Sequence, residues 1–184
     1  DGSYSGLNEN GKEEIRRWVR NGGVLIASGE ANRWAASAGI TPVKYKEVKH
    51  TDPEAFRNYD TQAEVRGSRY IPGAIFNTRV DRTHPLLYGV GSDSVPVFRE
   101  GTNMFEKPAN PFVTPVSYTD KPLIAGYITR ENEKLLAGSA AVISNAFGRG
   151  QVISFADNPN FRAFWFGTSK LFMNAVFFGQ TIGN

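Results

Sequence analysis

The chain has 184 residues, enough for one domain with a substantial core and too few for two, so we predict a single domain over residues 1–184. A hydrophobic fraction of 40%, with 13 Phe, excludes a disordered chain. The net charge is only +3 and the two signs are interspersed, which gives no indication of a nucleic-acid partner. No apolar run is long enough to span a bilayer, and the absence of cysteine excludes disulfides, thiolate metal sites and a Cys nucleophile.

The first elements predict an α/β unit. Asn10 is a helix cap with Glu13 three residues later, and the amphipathic helix that follows ends at a pair of glycines. The apolar run 24–27 comes next and is typical of a strand buried on both faces of a parallel sheet. A polar turn over 28–32 then leads into a short helix over 33–38.

The rest of the chain predicts a β-rich middle and a closing helix. Residues 41–69 have no clear period and predict an irregular, partly helical insertion. Strands with antiparallel or mixed pairing are then expected over 71–78, 95–98, 113–118 and 123–128. A hairpin (140–147 and 151–155) precedes a helix from 168 or 169 to 178.

The order of these elements points to an incomplete sheet. A parallel sheet requires strand–helix–strand crossovers, yet this chain opens on a helix. We therefore expect that the domain begins upstream and that its first strands are missing here. The fold class predicted is α/β, a three-layer flavodoxin-like sandwich with a mixed sheet and a β-rich insertion.

Three segments carry a resemblance to a known family: 7–40, the HPLLYG sequence at 84–89, and 148–179, which contains GRGQVISFADNPNFR. Together they resemble the class I glutamine amidotransferase-like domain that follows the peptidase domain in some bacterial secreted zinc carboxypeptidases. The resemblance implies an upstream peptidase domain in the same chain, whose reaction is metal-dependent peptide hydrolysis, and a periplasmic or secreted location.

The residues of glutaminase chemistry do not stand where that family pattern has them. The pattern needs a Cys in a strand-to-helix turn, and a His with a Glu two residues later after a late strand. The corresponding segments here are IASGEA at 26–31 and SFADNPN at 154–160, with neither Cys nor His. We therefore interpret the chain as a non-catalytic accessory domain that has no cofactor of its own.

Any remaining pocket is expected beyond the carboxyl ends of the sheet strands, where open α/β sheets bind ligands. The candidate pocket residues are Ser28, Glu30, Asn32, Asp157, Asn158 and Arg162. We expect Arg162 to pair with Asp157 through its guanidinium. Glu30 is an alternative carboxylate base with Asp157 as its partner, although a capping or salt-bridging role is favoured.

Two other functions stay open. Ser28 is the candidate nucleophile of a residual serine hydrolase, which needs a general base close by. The aromatic cluster of Phe161, Phe164, Trp165 and Phe166 is a candidate carbohydrate- or peptide-binding surface, unless these rings belong to the core. His84 is expected in a turn and His50 in a polar loop, so we predict no zinc site made by this chain alone.

Overall fold

The computed structural model describes residues 7–47, 70–163 and 165–182, so most of the predicted insertion lies outside the described residues. The described strands form one six-stranded sheet in the order β1-β6-β5-β4-β2-β3. Their bounds are β1 Val24–Ser28, β2 Ala74–Val80, β3 Ser94–Arg99, β4 Val116–Gly126, β5 Ala140–Phe147 and β6 Gly150–Phe155. Only β1 and β6 run parallel, and the other neighbouring pairs are antiparallel.

Helices cover both faces of this sheet. The bounds of the four described α-helices are α1 Glu9–Arg20, α2 Glu30–Ser37, α3 Arg130–Leu136 and α4 Phe166–Phe178. Val19 of α1 and Ala35 of α2 pack in one core cluster with Val152, whereas Leu171 of α4 packs in another cluster with Ile153. Because neighbouring residues of β6 face these two clusters, the chain forms the predicted mixed three-layer α/β sandwich. Among these helices, none is long and apolar enough to cross a membrane.

The first helix forms as predicted but begins earlier. Its cap is Asn8, whose side-chain oxygen accepts a hydrogen bond from the Gly11 amide at 2.9 Å, and Asn10 lies within the first turn. The helix ends where Gly22 adopts a φ of 118°. The cap predicted at Asn10 is therefore wrong, because the Asn8 side chain already accepts the bond from the first turn.

Strand β1 is parallel, as expected, but it lies at the edge of the described sheet. Apolar clusters pack on both faces of the strand, as predicted, and Ala27 is fully buried, but Val24, Leu25 and Ile26 stay partly exposed at this edge position. Val24 and Ile26 contact the core cluster beneath α4, and Leu25 contacts the cluster beneath α1 and α2. The apolar run therefore reflects a helix layer on each face rather than a central position in the sheet.

The antiparallel pairing predicted for the middle of the chain is confirmed. Two predicted strands, 113–118 and 123–128, are one strand, β4, which pairs with β2 through two register shifts. Helix α3 was not predicted, since the sequence analysis gives no element between the strand 123–128 and the hairpin that begins at 140. Thr129 caps this helix by accepting a hydrogen bond from the Asn132 amide at 3.3 Å.

The sheet curls so that two of its distant strands meet. Three strands separate β6 from β3 in the sheet order, yet Arg99 at the end of β3 contacts Asp157, which follows β6. The segment after β6 crosses to β3 in the same region, where the Phe161 ring stacks on Phe98 with 3.7 Å between centroids. The curl brings the end of β3 to the carboxyl end of β6, where the sequence predicts a pocket.

Candidate functional site

The turn between β1 and α2 is built around Gly29. Ser28 ends the strand and is exposed, and Glu30 begins the helix. Gly29 has φ 55° and ψ −130°, a conformation that residues with a Cβ rarely adopt. A Cβ at this position would meet no atom within 4 Å, so backbone conformation rather than lack of space favours glycine. The corner of this sharp turn is thus Gly29, and the Ser28 considered as a nucleophile precedes it.

Asn32 ties helix α2 to the end of β6. Its side chain is 1% exposed, and its Nδ2 donates a hydrogen bond to the carbonyl oxygen of Phe155 at 2.8 Å. That carbonyl lies at the carboxyl end of β6, directly before the loop that carries Asp157. Asn32 therefore lies at the carboxyl end of β6, where its side chain holds the backbone of that strand.

Asp157 is held by two residues that the sequence analysis did not name. Its carboxylate accepts a hydrogen bond from Nη1 of Arg99 at 2.6 Å and another from the hydroxyl of Tyr118. The side chains of Arg99 and Asp157 are 1% and 9% exposed. Arg99 also donates to the Tyr118 oxygen at 3.0 Å, so the three groups form a closed buried cluster.

The expected pair between Arg162 and Asp157 is wrong. Arg162 has a left-handed backbone (φ 51°), is exposed, and places its guanidinium carbon 5.3 Å from the centroid of the Phe161 ring. The chain turns at this point, so the arginine lies at the surface while Arg99 approaches Asp157 from β3.

Burial and charge shape the protonation of the cluster. Burial raises the pKa of Tyr118 well above its ordinary value, so this hydroxyl keeps its proton and donates to Asp157. Burial also raises the pKa of Asp157, while Arg99 and the Tyr118 hydroxyl oppose that rise. For Arg99, burial acts to lower the pKa, but the facing Tyr118 and Asp157 outweigh it and raise the pKa. The guanidinium therefore stays charged in the interior.

Asn103 links this buried cluster to the surface residue Glu30. Its backbone oxygen accepts from Nη2 of Arg99 at 2.6 Å, and its Nδ2 donates to a Glu30 carboxylate oxygen at 3.1 Å. Arg33 donates to the side-chain oxygen of the same asparagine. Glu30 and Asp157 thus belong to one network, but each carboxylate is held by its own partners. They do not form the direct carboxylate pair that was considered as a general base.

Arg33 also covers a half-buried tyrosine. Its guanidinium carbon lies 4.4 Å from the centroid of the Tyr45 ring. Burial raises the pKa of Tyr45 to about 12, with Arg33 acting in the opposite direction. Neutral Tyr45 and charged Arg33 complete the surface side of the network.

The remaining candidates act locally. The Asn158 side-chain oxygen accepts from the Asn160 amide at 3.0 Å, which is a turn-forming contact. His84 lies in the predicted turn, where its Nδ1 accepts from the Leu86 amide at 3.2 Å and burial lowers its pKa. Within residues 7–47, 70–163 and 165–182, no three His, Asp or Glu side chains converge as metal ligands would. His50 lies outside those ranges.

Arg99 could have been found from the strand pattern. Val95, Val97 and Arg99 alternate along β3, and all three are buried. A charged residue that continues an inward-facing apolar row predicts a buried partner of opposite sign. The partner itself was not predictable locally, because Asp157 is 58 residues away in the sequence.

A separate cavity of about 370 Å³ lies over β5. Val43, Val113 and Ile143 supply apolar walls, and the buried side chain of Asn145 also lines it. Phe112, next to Val113 in the chain, is 82% exposed. Polar and charged side chains also belong to the lining, namely Lys44, Glu106, Lys107 and Asn110. Such a mixture of apolar walls and polar groups can orient a small ligand.

The described rings of the predicted aromatic cluster differ in exposure. Phe161 stacks on Phe98, and Trp165 is partly buried and donates from Nε1 to the Pro96 carbonyl at 3.1 Å. Phe166 is 82% exposed. Phe164 lies outside the described residues. Phe161 and Trp165 are therefore held against β3, whereas the Phe166 ring faces solvent.

Comparison with known proteins adds the fold alone. No family model matches the chain, and no curated protein matches it. Among solved structures, it is similar to the cytoplasmic protein STM3548 from Salmonella typhimurium, with a TM-score of 0.52 and 17% sequence identity. The match covers 98% of this chain and 64% of that protein, so the chain spans about two thirds of the length of its structural neighbour.

Proposed function

We propose that this chain is a non-catalytic, glutamine amidotransferase-like accessory domain of a secreted bacterial zinc carboxypeptidase. The observation that supports a non-catalytic role is Gly29 at the corner of the turn between β1 and α2. A nucleophile elbow uses such a strained corner to expose its reactive side chain. Glycine keeps the turn but supplies no nucleophile.

The state of the surrounding polar groups supports the same proposal. A general base must have a free lone pair within hydrogen-bond reach of the proton that it removes. Asp157 does not meet this condition, because its buried carboxylate is engaged by Arg99 and Tyr118. This carboxylate serves to hold strand ends in position.

The parent enzyme is the part of the proposal that rests on the family resemblance. In that parent enzyme, the zinc ligands belong to the upstream peptidase domain, and the reaction is metal-dependent peptide hydrolysis outside the cytoplasm. The domain described here would position substrate or the peptidase domain itself. The encoding gene tests this directly: we expect a zinc peptidase domain upstream of Asp1, and a gene without one contradicts the parent assignment.

Activity assays test the non-catalytic role. We expect no glutamine or ester hydrolysis by the wild type or by Gly29→Cys, because no His follows the late strand β6 to activate a thiol. Ester hydrolysis that Ser28→Ala abolishes, and that the matched change of the exposed Ser37→Ala leaves intact, would favour the serine hydrolase. Glutamine hydrolysis by the wild type would overturn the proposal.

A second candidate, a carbohydrate- or peptide-binding module, is favoured by the cavity over β5 and the exposed Phe112. Titrations of N-acetyl-leucinamide and of a disaccharide, followed by amide chemical shifts, distinguish the two ligand classes. Filling the cavity with Ile143→Phe should abolish binding there, and Phe166→Ser, an exposed ring on α4, is the matched control. Saturable binding that Ile143→Phe leaves unchanged would count against this site.

A further inference from the structure

Helix α4 has a buried face and an opposite apolar face in contact with solvent. Its sequence, FGTSKLFMNAVFF, contains a single charged residue. Leu171 and Ala175 are buried in the core beneath the helix. A helix that is apolar all round is normally covered on all sides, so the exposed face of α4 requires an explanation.

The outer face consists of four apolar side chains with large exposed fractions. These are Phe166 (82%), Met173 (47%), Val176 (53%) and Phe177 (70%). The one charge on this side, Lys170, donates from Nζ to the Gly89 carbonyl at 2.6 Å. The ammonium group is thus directed to the edge of the face, and the centre stays apolar.

Tyr88 extends this surface along one side of the helix. It is 69% exposed, and its ring lies 5.4 Å from that of Phe178, centroid to centroid. Asn174 binds the segment to α4 by donating to the carbonyl oxygens of Leu86 and Tyr88 at 2.8 and 2.9 Å. The α4 face is defined here as Phe166, Met173, Val176 and Phe177 together with Tyr88.

The area of the α4 face is in the range that a protein interface needs. With about 200 Å² for a fully exposed aromatic side chain, its three rings and two aliphatic chains leave roughly 600 Å² in water. That reaches the upper limit of about 600 Å² for the largest apolar patch of an ordinary monomer. It is also three quarters of the roughly 800 Å² that each partner contributes to a standard interface.

We propose that the α4 face binds the same face of a second copy of this chain, with the two α4 helices antiparallel about a two-fold axis. Phe166, Lys170 and Met173 continue to Phe177 at intervals of four, three and four residues, a spacing that reads the same in both directions. An antiparallel pair therefore sets each Phe166 against Phe177 of the partner subunit. Such self-complementarity is what a two-fold interface requires.

The same antiparallel register determines which side chains meet at the centre of the helix pair. There, Lys170 lies opposite Met173 of the partner subunit, and the aliphatic part of the lysine covers the thioether while its ammonium stays at the rim. The interface has no buried charge that a foreign partner would have to match, which favours a second copy over a charged protein surface.

Sedimentation equilibrium of the 184-residue chain tests the proposal. We expect a reversible dimer in the wild type and a Kd at least about tenfold weaker in Phe177→Glu, since the aromatic contact with Phe166 of the partner subunit is lost and a charge is introduced. The control is Ile124→Glu, which introduces the same charge at an exposed apolar residue of β4, outside the α4 face, and should leave the Kd unchanged. Circular dichroism checks that both variants are folded.

A register variant adds a second readout. Met173→Glu should keep the dimer and make its Kd salt-dependent, because the new carboxylate faces Lys170 of the partner subunit. A wild type that is monomeric up to about 1 mM, or a dimer that Phe177→Glu and Ile124→Glu weaken equally, would overturn the proposal. Neither result bears on the missing nucleophile, so this proposal and the non-catalytic role can fail independently.

Discussion

Two regions of the molecule invert the usual distribution of polarity. They are the strand-end cluster, formed by Arg99, Tyr118 and Asp157, and the outer face of α4. The cluster is charged yet almost completely removed from water, whereas the α4 face is apolar and largely exposed. In the cluster each charge has a close partner. On the α4 face the large rings Phe166 and Phe177 are more than two-thirds exposed.

This difference teaches where function is to be sought. In the fold class resembled, chemistry takes place at the strand ends, but here the polar groups at that place hold one another and the backbone. The surface that favours contact with another molecule is instead the exposed α4 face. Four predictions test this division between a structural strand-end cluster and the α4 side of the molecule.

The largest effect is expected at Asp157. Asp157→Asn removes the negative charge that faces buried Arg99, and we expect the free energy of unfolding to fall by about 3 to 5 kcal/mol. Denaturant unfolding measures this, with Asp120→Asn, on exposed β4, as a control that should change it by less than about 0.5 kcal/mol. The double change Arg99→Met with Asp157→Leu should recover part of the loss. Equal values for Asp157→Asn and Asp120→Asn would contradict a structural role for the cluster.

A smaller loss is expected when only the hydroxyl of Tyr118 is removed. Tyr118→Phe deletes the donor to Asp157 and the acceptor of Arg99 but keeps the ring, which packs edge-on against Phe76. Hydrogen bonds to charged groups suggest a loss of about 1.5 to 3 kcal/mol in the same unfolding experiment. Tyr127→Phe, at a tyrosine that is 49% exposed, should be neutral. A neutral Tyr118→Phe would mean that Arg99 alone holds the carboxylate.

The turn between β1 and α2 should be sensitive to conformation rather than to volume. Gly29→Ala places a Cβ in open space but on a backbone with φ 55°, and we expect a loss of about 1 to 2 kcal/mol. Gly91→Ala is the matched control, because its Cβ also meets nothing within 4 Å and its φ lies outside the left-handed region. If both glycines respond alike, Gly29 is not under conformational strain.

The smallest effect concerns pH on the α4 side. His84 caps the 3-10 helix Pro85–Leu87, whose Leu86 carbonyl accepts from Asn174 of α4. Burial lowers the pKa of His84, with Asp81 opposing, so the unfolded state binds the proton more tightly. Its contribution is therefore present above the unfolded pKa of about 6.5 and is lost as the pH falls through that value.

His84→Asn isolates this contribution, since asparagine can accept the same cap bond without titrating. The variant should lack the decrease in unfolding free energy between about pH 7 and pH 5, which one proton limits to about 1.4 kcal/mol per pH unit. The pKa of Asp81 is lowered by its hydrogen bonds from Thr83, so its own effect is confined to a more acidic range. Identical pH profiles of wild type and variant would exclude His84 as the titrating group.

Local patterns predicted most of the elements. The periodicity of α1, the apolar run of β1 and the hairpin of β5 and β6 were each readable within a few residues. The predictions failed where neighbours along the chain were insufficient. Whether β1 is central or at an edge depends on other strands, and α3 is short and depends on its cap at Thr129.

In the candidate site, too, some features were predictable from local sequence and others depended on the tertiary structure. The sequence by itself determined which residue types stand at the strand ends, the absence of a Cys and a His where the resembled amidotransferase pattern has them, and the glycine that the sharp turn requires. Only the tertiary structure decided that Arg99, and not the nearby Arg162, neutralises Asp157. The reason is physical: the curl of the sheet brings β3 to the end of β6, and a buried carboxylate pairs with the cation that packing delivers, whatever its distance along the chain.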